Sequence, residues 1–262
     1  MGKKAAAKVA STVSTSTTRT TSTVSTASAA AEGAPDELAS RHGSELAESP
    51  RLPVGLDRFK DVETRTREII QKYQAAMREM EVRFQIIDQD LNLKKHRNPI
   101  HHIESRIKKP ASIFEKLERY GKEPTLENME RYILDIAGVR VICSYVRDVY
   151  SLLELLRKQD DLTIVTVKDY IENPKPNGYR SLHVIVRIPV YFLDAKQLIP
   201  VEVQLRTIAM DFWASLEHDL KYKSVSEVAG IDSYDELKDC SRIIEDVEAR
   251  MQILANALEI GE

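Results

Sequence analysis

With 262 residues, 42% hydrophobic and 30% charged, the chain is long enough to bury one core and short for two. Its formal net charge of -3 argues against a protein whose main business is coating nucleic acid. Only Cys143 and Cys240 occur, which fits no disulfide framework or zinc site, and no apolar stretch approaches the roughly 20 residues that span a bilayer. A reducing cytoplasm and no membrane association are the expectations.

Residues 1–55 differ in kind from the rest. Between positions 11 and 30, 14 of 20 residues are Ser or Thr, and no aromatic residue precedes Phe59. So little apolar surface cannot offset the entropy of ordering, so a disordered tail is expected. The segment lacks the apolar centre of a secretory signal, while its basic, Ser/Thr-rich start leaves a transit peptide as the rival reading.

From Phe59 a helical period sets in, through Val62, Ile69, Tyr73, Met77, Met80, Phe84, Ile87 and Leu91, and predicts one long amphipathic helix. HRNPIHHIESRI follows as a short strand or loop, then a helix opening near Pro110 and closing at Gly121. A third helix runs from about Thr125 to Leu134, and GVRVICSY is a strand in which Cys143 reads as a small buried thiol. Asp148 is placed at the start of the helix containing YSLLELLRKQ, and LTIVTV is the next strand. SLHVIVRIPVYF and IPVEVQLRT are expected to pair antiparallel, and TIAMDFWASLEHDLKYK to form a helix with Trp213 on its apolar side. The fold class is mixed α/β (α+β), a sheet of about five strands flanked by helices.

In the last helix Leu237, Ile244, Met251 and Leu258 share one heptad position, and Cys240, Val247 and Leu254 share the other. Such a seam either covers the chain's own core or docks against another subunit.

Neither GxxxxGK[ST] nor GxGxxG occurs, so a nucleotide site must rely on side chains. Arg106, Lys108, Lys109 and Lys116 cluster around ESRIKKPASIFEKL with Ser112 among them, where a helix starting near Pro110 aims free N–H groups at an anion. A solvated basic surface is the alternative there. Asp135 lies where a helix hands over to a strand. Strand alternation puts Glu202, Gln204 and Arg206 on one face. That file is either a wet sheet face or, with Asp135, the carboxylate pair of a phosphoryl-transfer site. There carboxylates hold Mg²⁺, one takes a proton from an attacking hydroxyl, and cations neutralise phosphate. In NPKPNGYRS, Tyr179 follows a stiff turn in which Asn177 tolerates turn geometry and Gly178 permits positive φ. Its ring either packs as an ordinary strand residue or stacks on a base, with Lys175 near the nucleotide's phosphate.

Four ordered blocks, SRIKKPASIFEKL, DIAGVRVIC, DYIENPKPNGYRSLH and VEVQLRTIAMDFWASLEHDLKYK, lie within roughly residues 100–223. In order, spacing and letters they resemble the RelA/SpoT family, specifically its small alarmone synthetases. The resemblance implies a nucleotidyltransferase-like fold and a Mg²⁺-dependent pyrophosphokinase. ATP would give its β,γ-pyrophosphate to the ribose 3′-hydroxyl of GDP or GTP, forming ppGpp or pppGpp and AMP. It assigns Asp135 to the metal, and Glu202 to the metal or to the role of base for the 3′-hydroxyl. Arg106 and Arg140 would sandwich adenine, and Lys108, Ser112 and Lys116 would line the ATP phosphates. Tyr179 would stack on guanine, with Lys175, Asn177 and His183 on the same acceptor side. Lys168 is expected at a phosphate, and Gln204 and Arg206 beside the metal site. The implied organisation is a tail over 1–55, a catalytic domain over 56–225 and a C-terminal helix over 226–262, the last at the interface of a homotetramer.

His218-Asp219 spells the HD dipeptide of the family's hydrolases, but upstream stand only the tail and one helix, so no hydrolase activity is expected. With so little chain after the blocks, ribosome-sensing domains are not expected either. His101-His102 is expected as strand or loop packing, not a metal pair. Two rival functions remain open. One is a regulator that binds nucleotide or single-stranded RNA without turnover, which KKHRNPIHHIESRIKK and Tyr179 would suit. Two carboxylates are a handicap in such a groove without Mg²⁺. The other is a nucleotidyltransferase with a different acceptor.

Overall fold

The longest element among the described residues is α1, Val54–Lys95, whose buried stripe Ile69, Tyr73, Ala76, Met80 and Phe84 keeps the three-and-four spacing of one helix face. Val62, expected on that stripe, is instead exposed. The computed structural model describes residues 54–222 and 233–259. All but the last two residues of the expected tail lie outside this range, and the expected boundary near 225 falls in the undescribed 223–232.

Five strands follow: β1 (Ile100–Ile107), β2 (Ala137–Cys143), β3 (Thr163–Asp169), β4 (Leu182–Tyr191) and β5 (Lys196–Thr207). They form one mixed sheet in the order β1-β2-β5-β4-β3. β2 and β5 run parallel, while the other neighbours, including the expected β4–β5 pair, are antiparallel. HRNPIHHIESRI, ambiguous in sequence, supplies all of β1, because pairing with β2 satisfies its backbone.

Register aligns Val139, Val203 and Val184 on one face of the sheet. These three are buried with the apolar stripes of α1 and α4 (Val146–Arg157) in a common core. Each fully buried side chain there contributes about 1.5–3 kcal/mol. Asp148 is not the first residue of α4. Tyr145 is the N-cap, and Asp148 sits at the third helical position, accepting the Tyr145 N–H at 3.2 Å and the Arg97 guanidinium at 2.7 Å.

The remaining helices are α2 (Pro110–Arg119), α3 (Leu126–Tyr132), α5 (Ile208–Tyr222) and α6 (Ser233–Glu259). Trp213 is buried, as its placement on the apolar side of α5 requires, and its indole N–H donates to Leu237 O of α6 at 2.8 Å. The face that α6 turns toward the body is mostly polar, with Ser241 buried and Leu237, Ile244, Glu248 and Gln252 half-buried. The rest of the expected seam, Cys240, Val247, Met251, Leu254 and Leu258, is exposed. The helix therefore covers its own domain with one side and presents apolar side chains on the other.

Candidate active site

The face of the sheet opposite the valines carries the polar residues, and register gathers them. Lys168, His183, Gln204, Arg140 and Glu104 are paired in sequence across β3, β4, β5, β2 and β1. Two residues along each strand, on the same face, Glu202 pairs with Gly138 and Gly138 with Arg106. Gly138 has no side chain, so the floor between Glu202 and Arg106 stays open.

Over this floor lies a cleft of about 160 Å³ whose lining includes Arg106, Lys108, Asp135, Arg140, Glu202 and Gln204. Asp135 is delivered by the turn before β2, which the backbone bond from Lys108 N–H to Ile136 O (2.8 Å) ties to the end of β1. Lys108 Nζ and, from α2, Lys116 Nζ both donate to Asp135 Oδ2, at 2.7 and 2.8 Å. Burial pushes the Asp135 carboxyl up, but the two ammonium groups outweigh it and hold the acid below its ordinary range. Burial likewise lowers Lys116, and the Asp135 carboxylate more than reverses that. Ser112 sits in the first turn of α2, whose N-cap Lys109 makes no side-chain cap, and it lines neither this cleft nor the next.

A second, larger cleft of about 570 Å³ shares Arg106, Arg140 and Gln204 with the first and adds Lys175, Asn177, Tyr179 and Arg206. The turn behind it closes with Gly178 N–H on Lys175 O (2.8 Å) and holds Gly178 at φ +89°, a conformation that L side chains seldom adopt. Asn177 accepts the Tyr179 N–H at 3.2 Å and donates to Glu217 at 3.0 Å. Lys175 Nζ lies 4.5 Å from the centre of the Tyr179 ring, and the Arg206 guanidinium 5.1 Å from it. Arg206 also donates to the Tyr179 hydroxyl. His183 connects the two clefts, with Nε2 2.8 Å from that hydroxyl and Nδ1 3.2 Å from Glu202 Oε1. Lys168 lines neither cleft but is the cross-strand neighbour of His183.

The donor set suits a divalent cation. Asp135 Oδ1 is buried and has no hydrogen-bond partner among the described residues, while Glu202 lines the same cleft. Mg²⁺ commonly takes one or two protein carboxylates and completes its shell with substrate phosphates and water. Among the described residues no cluster of three or more His, Cys, Asp or Glu forms an all-protein metal cage, and His101-His102 lies in β1.

The model of the region found in RelA / SpoT proteins matches residues 105–227, which hold the site residues from Arg106 onward and leave Glu104 just outside. The GTP pyrophosphokinase YwaC of Bacillus subtilis is 46% identical over 179 residues, covering 68% of this chain and 85% of that one. The chain belongs to the RelA/SpoT family. Within the family, the crystal structure of small alarmone synthetase 2 from Bacillus subtilis matches with a TM-score of 0.65 and 42% identity, over 73% of this chain and 98% of that one. Small alarmone synthetase 1 from the same organism, bound to its product pppGpp, matches with a TM-score of 0.68 and 30% identity, over 75% and 99%. The expected mixed five-stranded architecture is the one this chain has, and its fold matches these small alarmone synthetases.

Several residues around this RelA/SpoT site escaped the sequence reading. Asp211 accepts from Arg206 Nη1 at 3.1 Å and lies 3.4 Å from Arg140 Nη1, so one carboxylate holds a guanidinium from each cleft. Its only sequence mark is an acid in the first turn of a helix, where the dipole also favours it. Glu217, which anchors Asn177, reads in sequence as one more charge in EHDLKYK. Ser241 and Glu248 of α6 bond to the residues on either side of Tyr179, and nothing local marks them.

Proposed function

We propose that the chain is a Mg²⁺-dependent GTP pyrophosphokinase that transfers the β,γ-pyrophosphate of ATP to the 3′-hydroxyl of GDP or GTP. The observation that carries this reading is one cleft holding Asp135 and Glu202 among Lys108, Arg106 and Arg140, joined through shared residues to the Tyr179 cleft.

In this reading the first cleft takes ATP. Arg106 and Arg140 clasp adenine, since a planar guanidinium stacks on a neutral base without repulsion. Lys108, Lys116 and Ser112 meet the phosphates. Tyr179 stacks on the acceptor guanine, with Asn177 shaping the turn beneath it, and Lys175 and Lys168 meet the acceptor's phosphates. Asp135, assisted by Glu202, would hold Mg²⁺, which supplies charge neutralisation on the phosphates. Gln204, which donates to Glu202 Oε2 at 2.7 Å, and Arg206, which donates to Gln204, keep the carboxylate oriented. The acceptor 3′-oxygen attacks the β-phosphorus of ATP, and the bond from that phosphorus to the oxygen bridging the α-phosphate breaks. AMP leaves, and the hydroxyl proton passes to Glu202, which His183 and Gln204 position. Several negative charges converge on one centre, so positioning and neutralisation by these side chains dominate the catalysis.

The catalytic unit of this reading is residues 56–225, and α6 joins copies of the chain into a homo-oligomer, a tetramer by resemblance. No helix among the described residues is long and apolar enough to cross a membrane, and the cytoplasm, where nucleotides are plentiful, is the proposed location.

The test is incubation with γ-labelled ATP, Mg²⁺ and GDP or GTP. Label appearing in ppGpp or pppGpp is expected. Label that stays in ATP, or passes only to water, overturns the reading.

A further inference from the structure

We infer that α6 positions the acceptor loop, with Ser241 and Glu248 as positioning residues for the acceptor nucleotide, although α6 lies beyond the matched residues 105–227. The inference rests on the reading above that the Tyr179 turn receives the acceptor.

The two chain neighbours of Tyr179 are both held by α6. On one side, the buried Ser241 hydroxyl donates to Gly178 O at 2.6 Å. On the other, the buried Arg180 donates to Glu248 at 2.9 Å and lies 3.5 Å from Glu245. The approach is close. A Cβ on Gly178 would stand 2.9 Å from Ser241 Cβ and 3.1 Å from Lys238 Cα, so only glycine lets the turn reach the helix. A third tie comes from Trp213, which bonds Leu237 O and meets the Tyr179 ring edge-on, with centroids 6.5 Å apart.

The bonds inside the turn, Gly178 N–H to Lys175 O and Tyr179 N–H to Asn177, set its shape but not its place relative to the sheet. Place is set by partners outside the turn. Ser241 and Glu248 are such partners, 63 and 68 residues away in sequence from the groups they hold. Neither lines the clefts, so each acts through the backbone and charge flanking Tyr179. A ring displaced by about an ångström still stacks on a base but no longer presents the ribose in line with the donor, and misplacement on that scale costs heavily.

Initial rates, measured against acceptor at saturating ATP and against ATP at saturating acceptor, test this. Ser241→Ala removes one hydrogen bond and is expected to raise the acceptor KM roughly three- to tenfold, with the ATP KM changed less than about twofold. Glu248→Gln, which discharges the partner of a buried guanidinium, is expected to do more in the same direction, and the exchange Arg180→Glu with Glu248→Arg to recover part of the loss. General destabilisation would lower the active fraction without separating the two KM values. Equal shifts in both, or an unchanged acceptor KM in Ser241→Ala, would overturn the inference. Tyr179→Ala serves as reference. If it raises the acceptor KM while Ser241→Ala does not, α6 is no positioning element and the acceptor site stands. If Tyr179→Ala leaves the acceptor KM unchanged, the site assignment and the inference fall together.

Discussion

Glu202 and His183 meet diagonally across the β4–β5 pair, one same-face step from the His183–Gln204 pair, with imidazole Nδ1 3.2 Å from carboxylate Oε1. Burial pushes the Glu202 carboxyl up and Asp135 adds to this, yet His183 and Gln204 outweigh both and hold it below its ordinary range. Glu202 is thus ionised at neutral pH and able to accept a proton. Glu202→Gln is expected to lower kcat by on the order of 10²–10⁴ while ATP still binds. His183→Ala should cost less, on the order of tenfold, because Gln204 still holds Oε2. Steady-state rates beside ATP titrations check both, and full activity in Glu202→Gln would remove the base.

Asp135 should leave a mark on stability that depends on pH. A carboxyl whose folded pKa is depressed contributes stability that is fully present above its unfolded value, near 4, and is lost as pH falls through the folded value. The melting temperature of the native chain should exceed that of Asp135→Asn by a constant margin around neutrality. The margin should close as the solution is acidified from about pH 5 toward pH 2. Thermal denaturation across that range measures it, and a margin indifferent to acid would contradict the lysine pairing.

Cys143 should be chemically silent. It is buried in β2, and burial, with Asp148 and Asp88 nearby, pushes its thiol far up against the smaller opposing effect of Arg97. Iodoacetamide is expected to leave it unmodified in the folded protein and to alkylate it in urea, as read by peptide mass spectrometry. Rapid modification under native conditions would contradict the packing.

The outer face of α6 should carry the association of chains. Val247, Leu254 and Leu258 are 54%, 60% and 76% exposed, in line along one side of a helix, a surface that single copies seldom leave uncovered. Replacing Val247 and Leu254 together by Glu is expected to reduce the sedimenting mass. A native chain that sediments as a monomer would remove this role from α6.

The order of the elements and the type of all but β1, the antiparallel β4–β5 pair and the shared face of Glu202, Gln204 and Arg206 were legible in the sequence. Each follows from a period of 3.6 or 2 that the backbone imposes locally. The four motif blocks were legible for the same reason, since each is short and contiguous. Only the tertiary structure decided that Lys168, His183, Gln204, Arg140 and Glu104 stand in one row, that Asp211 serves guanidinium groups of both clefts, and that α6 turns its polar stripe inward onto the Tyr179 turn. Register and docking are settled by contacts between residues tens of positions apart. A serine or glutamate on a helix has the same local pattern whether its partner is water or a buried loop.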